Sequence, residues 1–117
     1  MTRLVDLDAQ FMRWERRDDG KIYWVPVATL AEAHGVKFLC PKCFVENGGP
    51  RGTHAIMCWS RSAGAPEEAT PLPGRWKMDG LNLDDLTLNA DPPSGARSVL
   101  LHGGCAWHGF VTNGDAA

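Results

Sequence analysis

Short β-prone runs, in which hydrophobic and polar residues alternate, are separated along this chain by clusters of Gly, Pro and Asp. Residues 11–17 and 22–27 are two such runs, and Asp18-Asp19-Gly20 between them supplies the positive φ that a tight hairpin turn requires. We therefore predict a first hairpin here. Trp14 and Trp24 are expected to lie near each other across its two strands.

The same pattern predicts a series of further short strands at residues 36–39, 53–60, 76–78, 86–88, 98–101 and 109–112. Thr29 and Glu32 have capping-box spacing and Gly35 can end a helix, so a helix of about two turns is expected over residues 30–34. Residues 44–53 and 61–75 are rich in Gly or Pro and are interpreted as long loops. The predicted fold class is mainly β, a small α+β fold of zinc-ribbon-like antiparallel hairpins with one short helix.

Length and composition indicate how many domains the chain forms and which partners are disfavoured. The 117 residues, with 13 Gly, 8 Pro and five Trp, are expected to form one domain, residues 1–117, with many turns and a modest core. The formal net charge is −2 and the twelve Lys and Arg are scattered, which disfavours nucleic acid as a partner. Arg13, Arg16 and Arg17 form the only dense basic group and are interpreted as a solvated hairpin end.

No N-terminal segment has the apolar centre of a signal peptide, and no run approaches the ~18 apolar residues of a membrane span. We expect a cytoplasmic protein without a membrane partner. Thiols stay reduced in that compartment, so the four Cys favour metal binding over disulfides.

Two pairs of candidate metal ligands follow predicted strands, in Cys40-Pro-Lys-Cys43 and in Cys105-Ala-Trp-His108. A gap of two residues lets both side chains of a pair reach one ion from a tight turn, as a tetrahedral Zn²⁺ site requires. We predict a structural Zn²⁺ site with Cys40, Cys43, Cys105 and His108 as ligands.

Three other residues compete for the fourth ligand position. His102 lies three residues before Cys105, and the strand at 53–60 carries His54 and Cys58. Residues four apart on a strand are roughly 13 Å from each other, so His54 and Cys58 cannot both hold one ion. Cys58 is interpreted as a small buried hydrophobic residue, with replacement of His108 or a reactive thiol as alternatives.

The sequence also resembles a family of small bacterial and phage proteins classed as a domain of unknown function. The resemblance covers roughly residues 36–114 and implies that Cys40, Cys43, Cys105 and His108 bind the metal. The chain departs from the family pattern in its long loops and in having Arg97-Ser98-Val99-Leu100 where Pro-Ser-Ile is more usual. The stretches that carry the resemblance are Phe38-Leu39-Cys40-Pro-Lys-Cys43, Trp76, Leu86-Thr87-Leu88, Ser98-Val99-Leu100 and the run from Cys105 to Gly114.

A site with four protein ligands leaves no position for water, so the predicted function is a non-catalytic, zinc-stabilised binding or assembly module with a protein partner. One version is a phage-encoded accessory protein of the capsid or tail, located in the host cytoplasm or the virion. A small zinc hydrolase is the first alternative, although no His-Glu-x-x-His signature is present. A redox protein using Cys40 and Cys43 is the second, disfavoured because no activating helix is predicted after Cys40.

Overall fold

The computed structural model describes residues 2–93, 95–101 and 105–117. The fold is mainly β with one short helix, as predicted. The helix α1 spans Pro41–Asn47, and single 3-10 turns lie at Leu4–Asp6 and Leu30–Glu32. In chain order the strands are β1 Thr2–Arg3, β2 Gln10–Arg16, β3 Ile22–Val27, β4 Gly35–Leu39, β5 Ala55–Trp59, β6 Trp76–Asp79, β7 Thr87–Ala90, β8 Val99–Leu100, β9 His108–Gly109, β10 Val111–Thr112 and β11 Asp115–Ala116.

The largest sheet has four antiparallel strands in the order β3-β2-β4-β5. Strands β2 and β3 form the predicted first hairpin, and Trp14 lies directly opposite Trp24. Gly20 adopts φ 79° in the turn, as the Asp-Asp-Gly sequence indicated. Arg16 and Arg17 near the turn are exposed, so the basic group does lie at a solvated hairpin end.

Both faces of this sheet are covered where β4 and β5 pair, because side chains alternate along each strand. On one face Val36, Phe38, Ile56 and Cys58 join the main hydrophobic cluster. The other face carries a second cluster of Met12, Met57, Trp59, Ala65 and Ala69. The main cluster also includes Leu4 and Ala116, so residues near both ends of the described chain contribute to it.

The predicted helix over residues 30–34 is wrong, since only the 3-10 turn forms there. The Thr29 hydroxyl donates to the Glu32 carboxylate (2.8 Å) and does not cap the backbone. Gly35 begins β4 and does not end a helix. A Cβ at Gly35 would lie 2.4 Å from the Cys58 carbonyl oxygen, so glycine is required there for the close approach of β4 to β5.

Three small antiparallel sheets complete the fold: β6 with β7, β8 with β9, and β1-β11-β10. Strands β10 and β11 are joined by Asn113-Gly114, with φ 49° and 77°, the hairpin turn that this dipeptide predicts. Leu4 N–H donates to the Gly114 carbonyl (2.8 Å), which ties the N-terminal segment to this turn.

The predicted loop at residues 61–75 is organised around a buried cation. Arg75 is only 1% exposed, and Trp59 supports the loop by donating from Nε1 to the Thr70 carbonyl (2.7 Å). The guanidinium of Arg75 donates to carbonyl oxygens of Pro66, Glu67, Ala69, Pro71 and Gly74. One side chain therefore supplies the donors that regular secondary structure would otherwise provide.

In the described part of the chain, no helix is long and apolar enough to cross a membrane.

Candidate metal centre

The first ligand pair lies where β4 passes into α1. Cys40 occupies the N-cap of the helix and Cys43 lies in its first turn. Pro41 at the first helical position has the φ that a helix start requires, and Gly48 ends the helix in the left-handed conformation (φ 69°). The predicted loop at residues 44–53 is therefore wrong for residues 44–47, which belong to α1. The helix has only seven residues, too few to show a repeating hydrophobic pattern in the sequence.

The pairing of β4 with β5 brings His54 to the same place. Leu39 is opposite Ala55 in this antiparallel pair, so Cys40, which follows β4, lies opposite His54, which precedes β5. The Cys40 N–H donates to the His54 carbonyl (2.9 Å). The strand register therefore places the His54 side chain beside the first ligand pair.

Cys105 reaches this group from the C-terminal part of the chain. Its Sγ lies 3.4 Å from Cys40 Sγ and 3.3 Å from His54 Nε2. Lys42 Nζ donates to the Cys105 carbonyl (3.0 Å), which fixes the backbone of this segment against α1. The ligand atoms of Cys40, Cys43, His54 and Cys105 all lie within 4.8 Å of one another.

These separations fit a tetrahedral zinc site. With Zn–S near 2.3 Å and Zn–N near 2.0–2.1 Å, ligand atoms at tetrahedral angles are about 3.5–3.8 Å apart. A disulfide is not formed, since its S–S bond is about 2.05 Å long and all four cysteines are free. Three sulfur ligands and one imidazole are the donor set of a structural Cys₃His site.

The thiols of the group differ in their proton affinity. The hydrogen bond to His54 lowers the pKa of Cys105 to about 6, whereas desolvation and the neighbouring thiols of Cys105 and Cys40 raise the pKa of Cys43 to about 12. Burial likewise raises the pKa of Cys40. The cluster thus holds one thiolate readily. A divalent cation would favour deprotonation of the other two, so metal binding would release protons.

Three of the four predicted ligands lie in this group, and its fourth member is His54. His108, the fourth predicted ligand, is exposed on β9, opposite Leu100 and with its ring 6.4 Å from that of Phe110. It is not part of the group found in the described ranges. His102, another candidate for the fourth ligand, lies outside the described residues.

Cys58 does not belong to the group, as predicted. It is opposite Val36 in the β4–β5 ladder and only 1% exposed, and burial raises its pKa. An inert thiol results, which confirms its interpretation as a small buried residue. His54 carried one available signal: it lies near the start of the predicted strand at 53–60, and Cys40 immediately follows the predicted strand at 36–39, so antiparallel pairing of the two strands would bring both residues to one end.

Comparisons of the chain with protein-family models, with curated proteins and with solved structures find no match.

Proposed function

We propose that the protein is a non-catalytic binding or assembly module whose fold is stabilised by one Zn²⁺, held by Cys40, Cys43, His54 and Cys105. The observation that supports this proposal is the convergence of four ligand atoms within 4.8 Å of one another. Four protein ligands fill a tetrahedron, so a substrate or water has no coordination position.

The metal would act as a cross-link between distant segments. Cys40 and Cys105 are 65 positions apart in the sequence, and the short strands β8 and β9 on either side of Cys105 have only two residues each. Such small elements gain little stability from backbone pairing alone. Zinc binding would therefore contribute directly to the folding free energy of the C-terminal half.

Function in such a module belongs to its surface, and we propose a protein partner. Trp59 is fully buried, so its side chain is not available for a partner, whereas Trp24, Leu72 and Leu81 are exposed. A place among capsid or tail components of a phage is the specific version that the family resemblance suggests. Neither nucleic acid nor a small-molecule substrate is required by the site.

One observation supports the redox alternative and another argues against it. A helix does follow Cys40, contrary to the prediction on which the alternative was disfavoured. A thiol that initiates exchange needs a lowered pKa, however, and burial raises the pKa of Cys40. A two-thiol exchange site does not need a third thiol and an imidazole, so the convergence of four ligand atoms within 4.8 Å of one another favours metal binding over thiol exchange.

The experiment is a metal analysis of the purified protein and of three matched variants, His54→Ala, His102→Ala and His108→Ala. We expect one zinc per wild-type chain. Loss of a ligand should weaken zinc binding by more than the roughly 10–100-fold that loss of a supporting residue costs. His54→Ala should lose zinc in competition with a chelator, while His102→Ala and His108→Ala should keep it.

Loss of zinc from His108→Ala with retention in His54→Ala would instead support the ligand set predicted from the sequence. A wild-type protein that binds no zinc, with an unchanged melting temperature in chelator, would contradict the proposal altogether.

A further inference from the structure

The edge strand β3 lacks the charged side chains that usually protect a sheet edge, and Pro26 is the one protective residue in it. It forms one border of the four-stranded sheet, and its six residues, Ile-Tyr-Trp-Val-Pro-Val, are all uncharged. Ile22 and Trp24 are 40% and 41% exposed. Exposed edges usually carry charges, since an uncharged strand with free backbone groups invites another strand to pair with it.

The hairpin register shows which backbone groups point to the open edge. Arg17 N–H donates to the Lys21 carbonyl (3.1 Å) at the turn, and antiparallel pairs alternate between hydrogen-bonded and non-hydrogen-bonded from there. Ile22, Trp24 and Pro26 fall at the non-hydrogen-bonded positions, so their backbone groups point away from β2.

Two observations agree with this assignment. Trp14, opposite Trp24, sends its own N–H to the other side of the hairpin, where His34 Nδ1 accepts it (3.1 Å). Pro26 lies at an outward position, where its missing N–H costs the sheet no hydrogen bond.

We propose that two copies of this chain associate by antiparallel pairing of their β3 strands, with Trp24 opposite Trp24 of the second copy. The product is one continuous sheet of eight strands, four from each copy. The interface is isologous, as a two-fold dimer requires. This inference does not depend on the proposed zinc site.

The edge is self-complementary in this register. The two Trp24 residues exchange a pair of N–H···O bonds, and Ile22 N–H of each copy donates to the Pro26 carbonyl of the other. Both outward donors of each strand are thereby satisfied, and five of the six residues overlap. A register shifted toward the turn, with Ile22 opposite Trp24, would overlap only three residues.

Side chains support the same arrangement. Ile22 lies opposite Pro26 of the second copy, and no charged residue faces another charge of the same sign across the β3 pair. The Trp24 ring is already held in place, because it makes an edge contact with the buried Trp59 (centroids 5.5 Å apart, 83° between planes). Little side-chain freedom is left to lose on association, which favours an interface.

Sedimentation equilibrium of the purified protein over roughly 1–200 µM tests the proposal. Wild type should show a reversible monomer–dimer equilibrium. Ile22→Pro removes one outward N–H per strand without breaking a bond of the hairpin, so it should weaken dimerisation roughly 10-fold or more. Trp24→Lys places like charges opposite each other and should give a monomer. Leu81→Lys, at a 79% exposed position outside β3, is the matched control and should remain dimeric.

The register is tested by cross-linking. Trp24→Cys puts two thiols at directly opposite positions, with Cα atoms about 5.5 Å apart, within disulfide range. Ile22→Cys puts them four residues out of register, roughly 13 Å apart along the strands, and should not cross-link. Circular dichroism confirms that each variant is folded.

A wild-type chain that stays monomeric throughout this concentration range would overturn the inference. So would a dimer that forms equally well in folded Ile22→Pro and Trp24→Lys variants, or an intermolecular disulfide that forms in the Ile22→Cys variant and not in Trp24→Cys. Zinc content measured on the same samples shows whether a change in dimerisation is accompanied by a loss of zinc.

Discussion

Replacement of the buried Arg75 by Met should destabilise the protein substantially. The guanidinium of Arg75 donates to five carbonyl oxygens between Pro66 and Gly74, and no other described side chain bonds these oxygens. A Met side chain fills much of the same space but has no donor. The substitution therefore removes the hydrogen bonds while it preserves most of the packing.

The magnitude follows from how well water can replace the lost donors. Ala69 is fully buried, and an unsatisfied carbonyl there costs about 1–3 kcal/mol. Gly74 is half-buried, which adds about 0.5–1 kcal/mol, while the Pro66 carbonyl keeps the Ala69 N–H as a donor (3.0 Å) and water can reach the exposed Glu67 and Pro71. Arg75 Nε lacks a partner within the described residues, so its removal offsets part of the loss. We expect a net destabilisation of about 3 kcal/mol.

Urea unfolding monitored by Trp fluorescence measures this change. With a slope of about 1.5–3 kcal/mol per molar urea, the midpoint should fall by about 1–2 M. Arg75→Lys retains the charge and three donors, so its urea midpoint should lie between those of the wild type and of Arg75→Met. Arg51→Met, at an exposed position, is the control and should change stability by less than about 0.5 kcal/mol. An Arg75→Met variant as stable as this control would refute the assigned role of the guanidinium.

Three further predictions concern the metal, the fourth cysteine and pH. A strong chelator should lower the melting temperature of the wild type in a calorimetric scan, because metal binding is coupled to folding; no change would count against the metal site. Cys58→Ser should keep its zinc in elemental analysis but lose about 1–3 kcal/mol of stability, since it buries a hydroxyl at a 1% exposed position. Desolvation lowers the pKa of His34 from 6.5, and its Nδ1 accepts the Trp14 N–H. The folded state therefore favours the neutral imidazole of His34. The stability that this imidazole contributes is complete above pH 6.5 and is lost as the pH falls from 6.5 through the folded-state pKa. The urea midpoint of the wild type should therefore fall as the pH is lowered below 6.5. In His34→Gln the part of this pH dependence that comes from His34 should be absent.

The local elements that depend on neighbouring residues were predictable. Asp18-Asp19-Gly20 and Asn113-Gly114 permit positive φ where a hairpin needs it, and the flanking β-prone runs pair as expected. The two-residue gap between Cys40 and Cys43 indicated a ligand pair, and Cys105 joins it. For the two turns and for the Cys40–Cys43 pair, the determining contact lies within a few residues along the chain. Cys105, 65 residues from Cys40, joins the pair through the tertiary fold, and its predicted partner His108 does not.

Local signals misled where a tertiary contact outweighed them. Thr29 and Glu32 suggested a helix that Gly35 would end. Gly35 instead begins β4, where only a glycine fits against the Cys58 carbonyl of β5. Residues 44–47 suggested a loop, yet the helix α1 forms in front of Gly48. A propensity of a few tenths of a kcal/mol per residue does not decide such short segments, since packing contributes more.

The sequence by itself determined that this chain is mainly β, with two hairpin turns and a cysteine pair suited to a metal. Only the tertiary structure placed His54 beside Cys40, because that proximity comes from the register between β4 and β5, and strand pairing is not encoded in the spacing of either residue. It also decided that β3 lies at an edge of the four-stranded sheet and that Arg75 is buried. These are long-range properties: each depends on which segments meet in space, and that is determined by the burial of the whole core and not by any one stretch of residues.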